Sequence, residues 1–262
     1  MVPSGSLPLL AVDIGNTRIK LGLFDAPPGE EALPLPSRCL GLETDEWDPV
    51  EIAVWLAPLA PQDVEWRIAS VHRPAAARLA QWLAREDAVS AQVTYQELPL
   101  VIDLPAPQEV GIDRLLAAVA ANALRSAQQG AIVVDVGSAI TVDMVSAVGT
   151  FCGGAILPGV GMSARALHDF TDLLPEVKIA GLADPPHVLG TSTQGAIASG
   201  LFWGAVGAMR TLIEGLASEL EGEPVVLLTG GAAEQVSRLL PGDVRYAPHL
   251  VLSGIALSAL GE

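Results

Sequence analysis

The sequence predicts an α/β protein built from two similar domains, and three observations support that prediction. The chain has 262 residues, which corresponds to one large domain or two small ones at about 150 residues per domain. Hydrophobic residues make up 50% of the chain and charged residues 17%, so it can form a buried core. A strand–turn–strand pattern near the N-terminus recurs about half a chain length later, which favours two related units over one.

The first domain opens on a predicted β-hairpin. An apolar run from Leu7 to Val12 ends at Asp13, and a second run from Ile19 to Phe24 follows a turn of small residues. The Pro-, Gly- and Glu-rich segment 26–36 predicts a surface loop. Further apolar patterns predict a strand at Trp66–Val71 and helices at Ala75–Arg85 and Leu115–Leu124.

The second domain opens on an echo of that hairpin. Residues 133–138 (Val-Val-Asp-Val-Gly-Ser) repeat the order of residues 11–16 (Ala-Val-Asp-Ile-Gly-Asn), and both lead into an alternating strand. One Asp-x-Gly turn is a weak signal, but two at matching positions indicate a repeated topology. A polar break at 126–130 marks the boundary, so the expected domains are residues 1–126 and 127–262.

Three more segments of the second domain have a predictable structure. A glycine-bracketed strand is expected at Gly153–Gly159, followed by a helical stretch. Gly190–Thr193 opens an apolar helix, whose N-terminus can bind an anion. A buried strand at Val225–Leu228 leads to Thr229-Gly-Gly231, a turn against which a flat ring such as adenine can lie.

Composition excludes several classes of protein. The formal net charge is −16, which repels a phosphate backbone, so no nucleic-acid partner is expected. Cys39 and Cys152 are too few for a disulfide framework or a Cys-rich zinc site. The apolar stretch Gly195–Met209 is shorter than the roughly 18 residues of a membrane span, and residues 1–7 lack the basic flank of an export signal. A cytoplasmic protein with no membrane partner is expected.

The two Asp-x-Gly turns are typical of a phosphate site. Gly15 and Gly137 allow the backbone to bend around an anion, and the neighbouring N–H groups can donate to it. The carboxylates of Asp13 and Asp135 can hold a cation or orient a water molecule. The alternative is a pair of tight turns stabilised by local hydrogen bonds. The occurrence of both turns favours a nucleotide held between two lobes.

Gly111-Ile-Asp-Arg114 precedes the helix that begins near Leu115, which puts Asp113 and Arg114 in its first turn. Asp113 can accept a proton from a substrate hydroxyl, and Arg114 can bind a carboxylate or phosphate. In the alternative interpretation, Asp113 only caps the helix and Arg114 is a solvated surface charge.

Taken together, these motifs resemble the ordered set of the type III pantothenate kinases, whose relatives include the Bvg accessory factor group. The resemblance runs from about residue 9 to 257. It rests on Asp13-Ile-Gly-Asn-Thr-Arg-Ile-Lys20, Gly111-Ile-Asp-Arg114, Asp135-Val-Gly-Ser-Ala-Ile-Thr141, Gly153-Gly-Ala-Ile-Leu-Pro-Gly159, Thr193 in its Ala-Ile-x-Ser-Gly context and Thr229-Gly-Gly231.

The resemblance implies two ribonuclease H-like domains of the acetate and sugar kinase, Hsp70 and actin superfamily. It implies ATP-dependent phosphorylation of pantothenate to 4'-phosphopantothenate, the first step of coenzyme A biosynthesis. The implied cofactors are Mg²⁺ with ATP and a monovalent cation, K⁺ or NH₄⁺, and the implied assembly is a homodimer. The alternatives are a non-catalytic nucleotide-binding regulator and a sibling kinase for another hydroxy acid.

Carried over by motif, the resemblance also implies a set of site residues. Asp113 would be the catalytic proton acceptor, and Asp135 would help to bind the monovalent cation. ATP would contact Asp13, Ile14, Gly15, Asn16, Thr17, Arg18, Ile19, Lys20 and Ser138. Pantothenate would contact Gly111, Ile112, Asp113, Arg114 and Thr193.

Two positions depart from the family pattern. Ser138 stands where the family commonly has Thr, and it keeps the hydroxyl. Leu104 stands where many members carry a Tyr that touches pantothenate. We therefore expect a changed substrate affinity or a changed substrate.

Overall fold

The structure, a computed structural model, describes residues 8–25, 33–178 and 185–259. Contacts divide the chain into two compact units. Unit 1 comprises the chain up to Leu100, Pro105–Leu124 and the segment from His249 onward, and unit 2 comprises Val101–Leu104 and Arg125–Pro248. The expected boundary at 126/127 lies close to the Leu124/Arg125 division. The segment from His249, however, belongs to unit 1 and not to the second half of the chain. The expectations for residues 1–7 and for 26–32 of the predicted loop fall outside the described residues.

Unit 1 contains a five-stranded mixed sheet in the order β3-β2-β1-β4-β5. The first three strands are antiparallel neighbours, and β4 and β5 run parallel to β1. The predicted hairpin is confirmed as β1 and β2, and the strand predicted at Trp66–Val71 is confirmed as β4. The strands are β1 (Leu9–Ile14), β2 (Arg18–Phe24), β3 (Arg38–Glu43), β4 (Glu65–Ser70) and β5 (Ser90–Gln92).

Four α-helices lie in the described part of unit 1, and both predicted helices are among them. Asp48 caps the first by accepting from Val50 N–H, and Glu51 completes a capping box. The last helix packs on the third, and this contact requires Gly254, because a Cβ there would lie 2.1 Å from the Leu116 carbonyl oxygen. The helices are α1 (Pro49–Leu56), α2 (Arg73–Arg85), α3 (Ile112–Leu124) and α7 (Leu250–Ser258).

Unit 2 repeats the sheet of unit 1. Its spatial strand order is β10-β9-β6-β7-β8. As in unit 1, the three strands that come first in the chain, β6, β7 and β8, are antiparallel neighbours, and β9 and β10 run parallel to β6. The repeated hairpin in the sequence therefore corresponds to a repeated topology. The strands are β6 (Ala131–Val136), β7 (Ala139–Val145), β8 (Phe151–Pro158), β9 (Val225–Thr229) and β10 (Val244–Tyr246), and the helices are α4 (Val160–Asp169), α5 (Thr193–Ser218) and α6 (Ala233–Val236).

Helix α5 is longer than the sequence suggested. It has 26 residues, so the expectation that its apolar stretch is too short to span a membrane is wrong. Among the described residues, it is the one helix that is long and apolar enough, by length and composition alone, to cross a membrane. Phe202, Val206, Met209 and Ile213 of this helix are buried in the core of unit 2.

Candidate active site

The turn between β1 and β2, residues 15–17, is called the first loop here. The Gly15 N–H group donates to the Arg18 carbonyl at 2.9 Å and closes the turn. Asn16 is exposed and Thr17 is half-buried, so a ligand can reach both. Main-chain N–H groups in such a turn can bind an anion. Ile14 and Ile19 are buried in the core, so they are available to a ligand through their main chains only.

Asp13 and Lys20 lie opposite each other in the β1–β2 ladder. Lys20 Nζ lies 3.9 Å from Asp13 Oδ2, and the Asp13 side chain is 9% exposed against 40% for Lys20. The ammonium group stabilises a carboxylate whose burial would otherwise be costly. Arg18 instead pairs with Glu43 through Nη2 and Oε1 at 2.9 Å, on an exposed surface.

The Gly111–Arg114 motif lies beside the first loop. Val71 connects them: its N–H group donates to the Ile14 carbonyl at 3.0 Å, and its Cγ1 lies 3.8 Å from the position of a Cβ on Gly111. Asp113 Oδ1 accepts from Arg114 N–H at 2.9 Å and would lie 2.5 Å from that same Cβ. A side chain at 111 would therefore require the Asp113 carboxylate to move.

This geometry gives Asp113 a local structural contact and leaves it accessible. The carboxylate satisfies a donor in the first turn of α3, which is favourable at the positive end of the helix dipole. Asp113 and Arg114 are both half-buried, so a substrate can still reach them. The capping interpretation is thus compatible with a catalytic one.

Cys39 and His249 form a second polar contact in unit 1. Cys39 Sγ lies 3.7 Å from both ring nitrogens of His249. Burial, and then the charge of Lys20, lower the pKa of His249, while burial raises the pKa of the Cys39 thiol. Both groups are therefore biased towards their neutral forms.

The turn between β6 and β7, Gly137 and Ser138, is called the second loop. The Gly137 N–H group donates to the Ala139 carbonyl at 3.0 Å, and the Ser138 carbonyl accepts from Gly159 N–H at 2.9 Å. A Cβ on Gly159 would lie 2.4 Å from the Gly137 oxygen and 2.5 Å from the Ser138 oxygen. The glycine that follows β8 thus approaches this loop more closely than any side chain allows.

Asp135 lies at the end of β6, beside the second loop. Its Oδ1 would lie 2.6 Å from a Cβ on Gly230, which has a left-handed φ of 103°. The register position that Lys20 occupies opposite Asp13 is occupied by Thr141 opposite Asp135. Carboxylate and carbonyl oxygens fit a hard cation. Within 8–25, 33–178 and 185–259, no three His, Cys, Asp or Glu side chains gather as metal ligands, so a cation here would also need main-chain, hydroxyl or water oxygens.

Thr193 and Leu104 lie elsewhere in unit 2. Thr193 is the exposed first residue of α5, and Ser192 caps that helix by accepting from Gly195 N–H at 3.1 Å. Leu104 is half-buried, with its Cδ2 3.3 Å from a Cβ position on Gly153. Leu104 therefore borders the glycine-rich strand β8.

Comparison with known proteins identifies the family of this arrangement. A family model described as type III pantothenate kinase matches residues 9–215. The chain belongs to the type III pantothenate kinase family. The member from Anaeromyxobacter sp. (strain Fw109-5) is 35% identical over 95% of this chain and 97% of its own, and the member from Paramagnetospirillum magneticum is 35% identical over 86% of each. The resemblance drawn from the motifs is confirmed.

Solved structures with the same fold extend beyond the type III pantothenate kinases. A glucokinase from an Antarctic psychrotroph superposes with a TM-score of 0.50 at 12% identity, covering 98% of this chain and 99% of its own. The 2-hydroxyisocaproyl-CoA dehydratase activator from Clostridium difficile, solved with bound ADPNP, gives a TM-score of 0.52 at 15% identity, covering 97% and 93%. These likenesses and the two repeated sheets confirm the predicted α/β fold with two similar units.

Proposed function

We propose that this protein transfers the γ-phosphoryl group of ATP to the hydroxyl group of pantothenate, forming 4'-phosphopantothenate for coenzyme A biosynthesis. The observation that supports this most is the family match across residues 9–215. That range contains both Asp-x-Gly loops and the Gly111–Arg114 motif. An active kinase is favoured over a regulator because the proton acceptor and the cation-binding carboxylate are both retained.

The two loops are the proposed phosphate-binding elements. In the first loop, Asn16 and Thr17 offer main-chain and side-chain donors, and Lys20 offers a positive charge. In the second loop, the Ser138 hydroxyl offers a further donor. ATP is expected with Mg²⁺, which neutralises phosphate charge during transfer. Asp13 of β1, beside the first loop, is the acidic residue proposed to orient the water shell of Mg²⁺.

Asp113 is the proposed general base. It takes the proton from the pantothenate hydroxyl as that oxygen bonds to the γ-phosphorus, while the bond from that phosphorus to the β,γ-bridging oxygen breaks and ADP leaves. Arg114, with Gly111, Ile112 and Thr193, is proposed to bind pantothenate, and its guanidinium suits the substrate carboxylate.

Asp135 is proposed to help bind K⁺ or NH₄⁺. Its carboxylate at the end of β6, beside main-chain oxygens, supports an oxygen-rich cation site. The cation would supply positive charge near the phosphate groups.

A homodimer in the cytoplasm is the proposed working state. Phe170 and Leu173, which follow α4, are each 87% exposed, and Leu189 ahead of α5 is 70% exposed. Large exposed apolar side chains of this kind favour an interface with a second copy. The buried face of α5 within unit 2 supports a globular role for that helix rather than a membrane one.

The proposal is tested by coupled ADP release with ATP, Mg²⁺ and K⁺, first with pantothenate and then with other hydroxy acids. Mass spectrometry of the product should show 4'-phosphopantothenate. Turnover only with another acid would favour the sibling kinase. Nucleotide binding without turnover on any acceptor would favour the regulator.

A further inference from the structure

Thr44 is a buried hydroxyl residue next to the first loop. It directly follows strand β3 and is 3% exposed. Nothing in its sequence context separates it from other polar residues after a strand. Its N–H and hydroxyl groups, however, both bond to the loop to which we assign ATP phosphate.

Thr44 donates two hydrogen bonds to the first loop. Its N–H group donates to the Thr17 carbonyl at 3.1 Å, and its hydroxyl donates to the Gly15 carbonyl at 3.0 Å. One buried residue thus binds the carbonyl groups at both ends of the loop.

These bonds determine which way the peptide between Gly15 and Asn16 faces. In a trans peptide, the carbonyl of one residue and the N–H of the next point in opposite directions, and the one cis peptide among the described residues is Ala57–Pro58. Because the Gly15 carbonyl points to Thr44, the Asn16 N–H group points away from it. Asn16 is exposed, so this donor is directed to the side from which an anion can approach.

We propose that Thr44 is a positioning residue that orients the Asn16 N–H group towards an ATP phosphate. The inference rests on the proposed function for the assignment of that loop. Without the Thr44 hydroxyl, the Gly15–Asn16 peptide can rotate, and a phosphate must then restrict it at the expense of binding free energy.

Ser37 provides a matched control. It directly precedes β3, as Thr44 directly follows it. Its N–H and hydroxyl groups both donate to the Leu23 carbonyl, at 2.8 and 3.1 Å. Both residues flank β3 and donate a hydroxyl hydrogen bond to the β1–β2 hairpin, but Ser37 bonds to Leu23 of β2 and Thr44 to Gly15 of the first loop.

The experiment compares Thr44→Val, Thr44→Ser and Ser37→Ala in the full chain. The measurements are equilibrium binding of a non-hydrolysable ATP analogue with Mg²⁺, KM for each substrate and thermal unfolding. Thr44→Val should weaken analogue binding and raise KM for ATP by about three- to tenfold, with KM for pantothenate changed by less than about twofold. Thr44→Ser should bind the analogue nearly as the wild type does. Ser37→Ala should lower Tm and leave analogue binding unchanged.

Three results would overturn the role of Thr44. The first is a Thr44→Val variant that loses Tm as Ser37→Ala does but keeps wild-type analogue binding. The second is a Thr44→Ser variant as weak as Thr44→Val. The third is an equal rise of both KM values. The proposed function is tested separately by pantothenate-dependent ADP release from the wild type, so an inactive wild type whose analogue binding still depends on the Thr44 hydroxyl would refute the function and support the positioning role.

Discussion

The first and second loops each fix the direction of their glycine carbonyl, but by different chemistry. In unit 1, the Gly15 carbonyl faces the side-chain hydroxyl of Thr44. In unit 2, the Gly137 carbonyl faces Gly159, where even a Cβ would lie 2.4 Å away. In both loops, therefore, the glycine carbonyl points towards the residue that follows the unit's third strand in chain order. That residue is Thr44 after β3 and Gly159 after β8. The following N–H group, of Asn16 or Ser138, is turned the opposite way.

The difference follows from what comes after that third strand. Gly159 is itself the N-cap of α4, so the chain enters a helix immediately and its backbone lies against the second loop. In unit 1, α1 begins only at Pro49, which leaves room for a threonine side chain. The first loop can thus be adjusted through a hydroxyl group, whereas the second depends on the absence of any side chain.

The largest expected effect concerns the proposed general base, Asp113, which belongs to unit 1. Asp113 lies beside the first loop, and Asp113→Asn should lower kcat by about 100- to 10,000-fold, as for loss of a general base. Asparagine retains the Oδ1 that accepts from Arg114 N–H, so Tm should change little. Steady-state kinetics and thermal unfolding check this, and near wild-type turnover would remove Asp113 from the base role.

The next prediction tests whether the second loop depends on the close approach of Gly159. Gly159→Ala should displace the second loop, lower Tm by several degrees through about 1–3 kcal/mol of overpacking and reduce kcat/KM by about 100-fold. Gly161→Ala is the control, because a Cβ at Gly161 meets nothing within 4 Å and alanine favours the helix. Equal behaviour of the two variants would show that the second loop does not depend on close backbone approach.

The two loop carboxylates offer a third test. Asp13 lies opposite Lys20, whereas Asp135 lies opposite Thr141, so we expect activity to depend on an added monovalent cation through Asp135. Rates should be higher in K⁺ than in Na⁺, and Asp135→Asn should lose most of the K⁺ activation. The same rate in K⁺, Na⁺ and a bulky organic cation would contradict a selective site.

Leu104 gives a smaller effect on the side of unit 2. Leu104→Tyr should lower KM for pantothenate by up to about tenfold, since one net hydrogen bond of about 1.4 kcal/mol accounts for that change. The kcat value should stay constant if the contact is equal in ground and transition states. Val101→Tyr, at an exposed position, controls for added bulk. A raised KM in Leu104→Tyr would instead favour a different hydroxy acid as substrate.

The smallest expected effect is the contribution of His249, in unit 1, to the pH dependence of stability. Burial and Lys20 lower the pKa of His249, so the unfolded chain binds its proton more readily than the folded one. Stability should therefore fall as pH drops below the ordinary histidine pKa of about 6.5, and should be unaffected by this group at higher pH. His249→Asn, which suits the left-handed φ of 58°, should lose less Tm between pH 7.5 and 5.5 than wild type. A wild-type pH slope in His249→Asn would contradict this.

The sequence predicted the parts of this fold that repeat and alternate. The two hairpins were predictable because apolar alternation surrounds an Asp-x-Gly turn in each, and the family motifs located Asp113 and Asp135. The short strand β5 was not predictable, since its three residues are exposed and it has no buried face to set a pattern. Thr44 was missed because its importance lies in the register of β3 beside the first loop, which short-range sequence patterns do not record.

The position of α7 in unit 1 was likewise not predictable from the sequence. This position determines the order in which the two units are completed during synthesis. Eight of its residues are buried, and they pack in unit 1 on elements made much earlier, β1 and α3. During synthesis the whole of Arg125–Pro248 leaves the ribosome before α7 does, so the unit that starts first is finished last. Until α7 has been made, the N-terminal unit has an open apolar face, and a chain truncated before Leu250 would keep that face open.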